Sequence, residues 1–175
     1  YFQSERRELY RDMCEELIRS GADYRCYCTK EELDDARQAA LATNPKQPFR
    51  YPGTCREKAS DPSKPHVVRF KTPSAGSTDF VDKVFGKIST PNDSLYDFVI
   101  LRGDGFPIYN LGCVVDDHEM DITLVGRGRD HVGNTPQQVL LYQAFGWDVP
   151  EFAHLPLLLS KKGEKLSKRH ASVAV

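Results

Sequence analysis

Leu9, Met13 and Leu17 recur four apart while Glu5, Arg6, Arg7 and Glu15 fall elsewhere. That spacing predicts an amphipathic helix over 4–20, with Gly21 as its stop. A second helix is signalled at Thr29-Lys30-Glu31-Glu32, where the threonine hydroxyl and the glutamate three residues on can each satisfy an exposed backbone amide; it should run to about position 41. From 44 to 65 proline, lysine and polar residues dominate, which reads as an irregular excursion. Strands are expected over 66–71, 79–84 and 96–101, rich in β-branched and aromatic residues between turn clusters, and Asp104-Gly105 offers a tight turn before a further strand at 106–109. This middle section reads as a small mixed α/β unit.

Beyond it the texture changes. A short apolar run at 122–125 is followed by Asn134-Thr135-Pro136, a capping residue and then a proline at the first helical position, opening a helix that Gly146 should end. Another apolar run covers 154–159. Strand, helix, strand is the order a parallel crossover requires, so the C-terminal part is expected to be half of a doubly wound sheet.

Composition narrows the class. With 39% hydrophobic and 28% charged residues in 175, the chain can bury one ordinary core or two small ones. No stretch approaches the roughly 18 to 20 apolar residues of a membrane span, and no leader pattern is visible, so the expectation is a cytoplasmic protein without a membrane partner. The sequence begins at Tyr1, not Met; Tyr1-Phe2-Gln3-Ser4 reads either as a tag remnant or as native. A net charge of −1 argues against coating by nucleic acid, DNA included, so any RNA contact must be local. Cations do gather near the end, where Lys161, Lys162, Lys165, Lys168 and Arg169 are opposed only by Glu164. The five cysteines are too unevenly placed for a disulfide framework, which leaves reduced thiols or a metal site.

The most specific chemical signal is Gly163-Glu164-Lys165-Leu166-Ser167-Lys168-Arg169, directly after the last expected strand and so at the carboxyl edge of the sheet, where open α/β folds bind ligands. Two lysines three apart on a glycine-preceded loop can close over a polyphosphate and neutralise a pyrophosphate leaving group; taken alone, lysines on a loop are usually a solvated surface. Asp116, Asp117, His118, Glu119 and Asp121 form an acidic run, but a run in sequence does not make ligands converge in space, and it is not read as a metal site. Cys113 is read as a packing thiol.

Context comes from the run between Tyr109 and Arg169. Ile108-Tyr109-Asn110-Leu111, Val114-Val115-Asp116-Asp117-His118, Arg127-Gly128-Arg129-Asp130-His131, Asn134-Thr135-Pro136, Leu140-Leu141-Tyr142-Gln143-Ala144-Phe145-Gly146-Trp147 and His154-Leu155-Pro156-Leu157 follow in order. Together they resemble the second half of the catalytic domain of the bacterial-type glutamyl-tRNA synthetase family, of class I. Phe2-Gln3-Ser4-Glu5-Arg6, with Tyr10 beyond it, resembles the family's approach to its inserted domain, which favours native sequence at the start.

The resemblance implies an α/β fold: the second half of a Rossmann-like parallel sheet with an inserted small mixed α/β acceptor-binding domain. Residues 1–20 would lead in from the first half, 21–107 would form the insertion and 108–175 the second half of the catalytic domain. It implies that Lys165-Leu166-Ser167-Lys168-Arg169 is the family's KMSKS-type ATP loop, with Lys165 and above all Lys168 on the phosphates of Mg2+-bound ATP. Tyr109 and Arg127 would contact glutamate, an arginine fork suiting a carboxylate; without the family, Tyr109 reads as a half-buried strand aromatic. Cys26-x-Cys28 followed by Tyr51 and Cys55 resembles the zinc-binding insert of some members, and three thiolates supply most of a tetrahedral zinc site. The implied reaction is attack of the glutamate carboxylate on the α-phosphorus of ATP, then transfer of the acyl group to the end of tRNA(Glu), whose acceptor stem is the expected RNA partner. The family's His-Ile-Gly-His type motif is not among these residues, so the function is that of a parent protein and the chain alone is expected to be inactive. Two rivals remain: the shortened relative that glutamylates a modified tRNA base, against which Asp130-His131 and Gly146-Trp147 speak, and a non-catalytic tRNA-binding module, against which Lys168 and Arg127 speak.

Overall fold

The computed structural model describes residues 1–46 and 48–156. The first predicted helix is α1, Arg7–Ser20, preceded by a single 3-10 turn over Gln3–Glu5. Its buried ridge is Tyr10, Cys14 and Leu17, and Leu9 and Met13 flank that ridge half-buried. Gly21 ends it in the left-handed conformation at φ 82°, which a side chain would strain. Four buried residues then form β1, Asp23–Cys26. The second predicted helix is α2, Lys30–Thr43; Thr29 accepts from the Glu32 amide and the Glu32 carboxylate from the Thr29 amide, the reciprocal cap its sequence specifies. No residue of α2 is fully buried.

Two sheets follow. Strands β2 (Val67–Phe70) and β5 (Val99–Leu101) join β1 in an antiparallel sheet of order β1-β2-β5. The hairpin β3 (Ser77–Asp82) and β4 (Gly86–Pro91) joins β6 (Leu124–Gly128) and β7 (Glu151–Leu155) in a second sheet of order β4-β3-β7-β6. Within it β6 and β7 are parallel in continuous register from Leu124↔Glu151 to Gly128↔Leu155, connected through α4, Thr135–Phe145. The anticipated parallel crossover is therefore present, with Gly146 closing α4 at φ 70°. Asn134 makes no side-chain cap, because its backbone is already helical at the end of a 3-10 segment, Arg129–Asn134.

The expected strand at 106–109 is a correction. Only Pro107 bridges Leu101, and Tyr109 opens a helix, α3, Tyr109–Glu119, whose Leu111, Val114 and Val115 are buried. Tyr109 is thus a helix-end residue, 46% exposed, not a strand aromatic. The strand at 79–84 also shifts, to Ser77–Asp82, and β1 and β4 were not anticipated.

The main core draws on α1, β2, β5, α3 and α4 through Tyr10, Leu17, Val68, Ile100, Leu111 and Leu141. A small separate cluster holds Tyr24, Cys26, Tyr51 and Cys55, and another holds Phe80, Val139 and Phe152 between α4 and the second sheet. Among the described residues no helix is long and apolar enough to cross a membrane.

Asp23 is 4% exposed and neither carboxylate oxygen has a hydrogen-bond partner among the described residues. Burial pushes this carboxyl well above the usual carboxylate range. The folded state holds the proton more tightly than the unfolded chain, so ionisation costs stability as pH rises past the unfolded value near 4. Asp23→Asn is expected to raise the melting temperature at pH 7, and the gain should disappear near pH 3.5; an equal shift at both pH values would refute the assignment.

Candidate functional site

Two groups of side chains carry chemistry. The first is the thiol cluster. Cys26 ends β1, Cys28 lies just before the Thr29 cap, and Cys55 returns to them from the excursion after α2. The three sulfurs lie within 4.8 Å of one another, with Cys28 and Cys55 3.6 Å apart. The Tyr51 hydroxyl stands 3.4 Å from Cys26 Sγ and 3.6 Å from Cys28 Sγ, and accepts from the Cys55 amide at 3.0 Å. A tetrahedral zinc ion, with bonds of about 2.3 Å to sulfur and about 2.0 Å to oxygen, sets its ligands roughly 3.5–3.8 Å apart. In chemistry and in size the four side chains fit that ion.

Their protonation is divided. Burial above all pushes the Cys28 thiol up to about 11. Burial also acts to raise Cys55, but hydrogen bonds from the Tyr27 backbone, the Tyr51 hydroxyl and the other two thiols outweigh it and hold Cys55 below the ordinary thiol value. Of Cys28 and Cys55, Cys55 is therefore the readier to become a thiolate.

The cluster is held by one buried carboxylate. Asp97 accepts from Tyr24 Oη at 2.6 Å, from Arg56 Nε and Nη2 at 2.6 and 2.7 Å, and from the Thr72 amide at 3.0 Å. Tyr24 lies two residues before Cys26 and Arg56 immediately follows Cys55, so this fork draws both thiol-bearing segments onto the end of the first sheet.

The second group surrounds Arg127 on β6. Arg127 Nε donates to His154 Nε2 at 3.1 Å, and Nη2 to Thr135 Oγ1 at 2.8 Å. His154 and Thr135 are both fully buried. His154 Nδ1 in turn meets Asp82 Oδ2 at 2.6 Å. On the other side, Tyr109 Oη is 3.2 Å from His131 Nδ1, with the rings 5.5 Å apart. Burial raises the Tyr109 phenol, Cys113 adds to that, and the Arg127 charge opposes it. Asp117 is likewise raised by burial and opposed by Arg127. Tyr109, Cys113, Asp117 and Arg127 thus share one electrostatic environment, and the two residues singled out for a carboxylate ligand lie within it.

Cys113 is half-buried and its thiol is raised, chiefly by burial, which suits a packing role. The acidic run does not converge: Asp116 accepts from Arg6 and Tyr10, and His118 stacks on Trp147 at 3.7 Å. Lys165, Leu166, Ser167, Lys168 and Arg169 lie outside the described residues. Sequence reasoning passed over Asp82 and Thr135 as functional, and named His154 only within a matching segment. Nothing in the local sequence marks Asp82, since its partner is 72 residues away.

Comparison with known proteins gives this arrangement its class. The chain belongs to the catalytic-domain family of the class I tRNA synthetases: the family described as tRNA synthetases class I (E and Q), catalytic domain, matches residues 1–175. Among its relatives are the glutamate–tRNA ligase of Anaeromyxobacter sp. (strain K), 58% identical over all of this chain and 36% of that protein, and that of Magnetococcus marinus (strain ATCC BAA-1437 / JCM 17883 / MC-1), 51% identical over 99% of this chain and 37% of that protein. The crystal structure of a glutamate tRNA ligase from Elizabethkingia meningosepticum, in complex with its amino acid, superposes with a TM-score of 0.85 at 38% identity over 97% of this chain and 36% of that one. The mixed α/β fold is common to both. The chain spans little more than a third of the length of these relatives.

Removing the Asp97 carboxylate is expected to unseat the thiol cluster. Asp97→Ala should cost about 2–4 kcal/mol in urea unfolding at pH 7, the range for stranding buried partners of a charged acceptor. Burial raises this carboxyl but the Arg56 and Tyr24 bonds outweigh it, so its folded value is lowered. Its contribution is then present above the unfolded value near 4 and is lost as pH falls through the folded value, so the gap between wild type and variant should narrow in acid. A gap independent of pH would contradict the charged role.

Proposed function

We propose that this chain is the part of a glutamate–tRNA ligase that carries one wall of the aminoacylation site, and that the parent enzyme joins glutamate to tRNA(Glu) through a glutamyl-adenylate. The observation that carries the reading is the anchored guanidinium of Arg127 beside Tyr109, in a chain 58% identical to a glutamate–tRNA ligase. An arginine whose plane is set by two buried partners presents a fork to a carboxylate without first losing side-chain freedom. Tyr109 supplies a neutral hydroxyl next to it. No protein nucleophile is required: the substrate carboxylate attacks the α-phosphorus of Mg2+-bound ATP, pyrophosphate leaves, and the terminal tRNA hydroxyl then attacks the acyl carbon and takes the acyl group as AMP leaves.

On this reading residues 108–175 are the second half of a Rossmann-like catalytic domain, 21–107 an inserted unit that receives the acceptor stem, and 1–20 the lead-in. Lys165 and Lys168 meet the ATP phosphates within the loop Lys165-Leu166-Ser167-Lys168-Arg169. Zinc is held by Cys26, Cys28, Cys55 and Tyr51, where it acts as a structural clip closing the excursion and takes no part in the chemistry. The parent enzyme works in the cytoplasm.

Pyrophosphate exchange dependent on ATP and glutamate, measured on the full-length parent enzyme, tests the activity. Arg127→Ala should raise the KM for glutamate by about 10²-fold, since one buried charge-assisted pair is lost, and Lys168→Ala should slow activation by about 10²-fold. Absence of exchange in the intact enzyme would favour the tRNA-binding module instead. Elemental analysis should find one zinc per chain, lost in a Cys26→Ser, Cys55→Ser double variant; metal-free protein with freely alkylated cysteines would overturn the clip.

A further inference from the structure

A buried relay stands behind the Arg127 guanidinium. Arg127 Nε carries a proton at every accessible pH and can only donate, so the nitrogen it meets 3.1 Å away, His154 Nε2, must present its lone pair. The imidazole proton then resides on Nδ1, which points at Asp82 Oδ2 at 2.6 Å. Asp82 is set to receive it. The same oxygen accepts from the His154 backbone amide at 3.1 Å, and Oδ1 accepts from the Val84 and Phe85 amides, each at 2.9 Å. Four N–H groups therefore converge on a carboxylate that is 1% exposed, and these bonds outweigh burial and hold Asp82 ionised. A doubly protonated His154 would set one N–H against another and a cation beside the guanidinium; the opposite tautomer would set the Nδ1 lone pair against Asp82 Oδ2 and the Nε2 proton against the Arg127 Nε proton.

We propose that Asp82 and His154 are positioning residues for substrate binding: Asp82 fixes the Nδ1–H tautomer of His154, and the Nε2 lone pair, with Thr135 Oγ1, holds the plane of Arg127 for the glutamate carboxylate. This rests on the reading of Arg127 as the glutamate-binding arginine. It also assigns the β3–β4 hairpin a part in amino-acid recognition, since Asp82 ends β3 while Arg127 lies on β6, two strands away in the sheet. The bonds so far described engage Nε and Nη2 of Arg127, and Nη1 takes no part in them.

A purely structural role, in which His154 merely ties β7 to β3, makes a different demand. It needs the Nδ1 donor to Asp82 and is indifferent to Nε2. Two neutral substitutions separate these demands, because an asparagine amide reaches the Nδ1 position and a glutamine amide the Nε2 position. In the full-length enzyme, His154→Asn should raise the KM for glutamate by about tenfold, the worth of one charge-assisted hydrogen bond, with the KM for ATP unchanged. His154→Gln, which restores an acceptor to Arg127, should stay within about threefold of wild type. Equal KM values for the two variants, or His154→Asn behaving as wild type, would overturn the proposal. Nitrogen-15 spectra of histidine-labelled wild-type enzyme give a test independent of any variant's folding: Nδ1 should resonate as protonated and Nε2 as unprotonated, and the reverse pattern or a doubly protonated ring would overturn it too. Arg127→Ala keeps the layers apart. If it leaves the KM for glutamate unchanged, the substrate reading fails; if it raises that KM while the two His154 variants match, only the relay fails.

Discussion

A carboxylate almost sealed from water cannot exist as an anion unless its lone pairs are met, and at Asp82 they are met four times over. Two of those bonds close the turn between β3 and β4, and the other two fasten β3 to β7, so one side chain sets the hairpin and its seat in the second sheet together. The neighbouring apolar contacts follow from that seat: Phe80 meets Phe152 edge to face at 5.7 Å, and Val139 of α4 covers both. With β7 fixed, the continuous parallel register places Arg127 opposite His154. Taking away either partner of such a pair strands the other in low dielectric, which costs about 3–5 kcal/mol.

Asp97 plays the same part beside the first sheet. It too gathers donors from distant segments, and it too sits behind a functional cluster and not within it. In both places a buried acidic residue determines where the residues proposed to face a ligand stand. The arrangement suits the proposed chemistry, which needs no protein nucleophile: it asks only for geometry and charge, and both would come from side chains with little freedom to move.

How much of this could be read from the sequence depended on how local each signal was. The period of α1, the cap at Thr29 and the brackets Pro136 and Gly146 around α4 are encoded within a few residues, and those elements stand where they were expected. Strand β1 is only four residues long, so its polar–apolar alternation, Asp-Tyr-Arg-Cys, sits at the short limit of a strand signal, and the structure buries both of its faces. Helix α3 was hidden by its start: Ile108 offers no side-chain cap, and Phe106 to Tyr109 reads as extended. Arg127, Tyr109 and the cysteines were legible as residue types in an ordered set of motifs. Asp82 was not, because its meaning arises only when β7 arrives beside it.

The thiol cluster has its own small apolar set, Tyr24, Cys26, Tyr51 and Cys55, separate from the main core, and the adjoining helix α2 buries no residue fully. That separation would make the proposed metal clip a detachable module in evolutionary terms. Apolar residues of similar bulk could take the place of the four proposed ligands, because the packing that carries Arg127 is built from other residues.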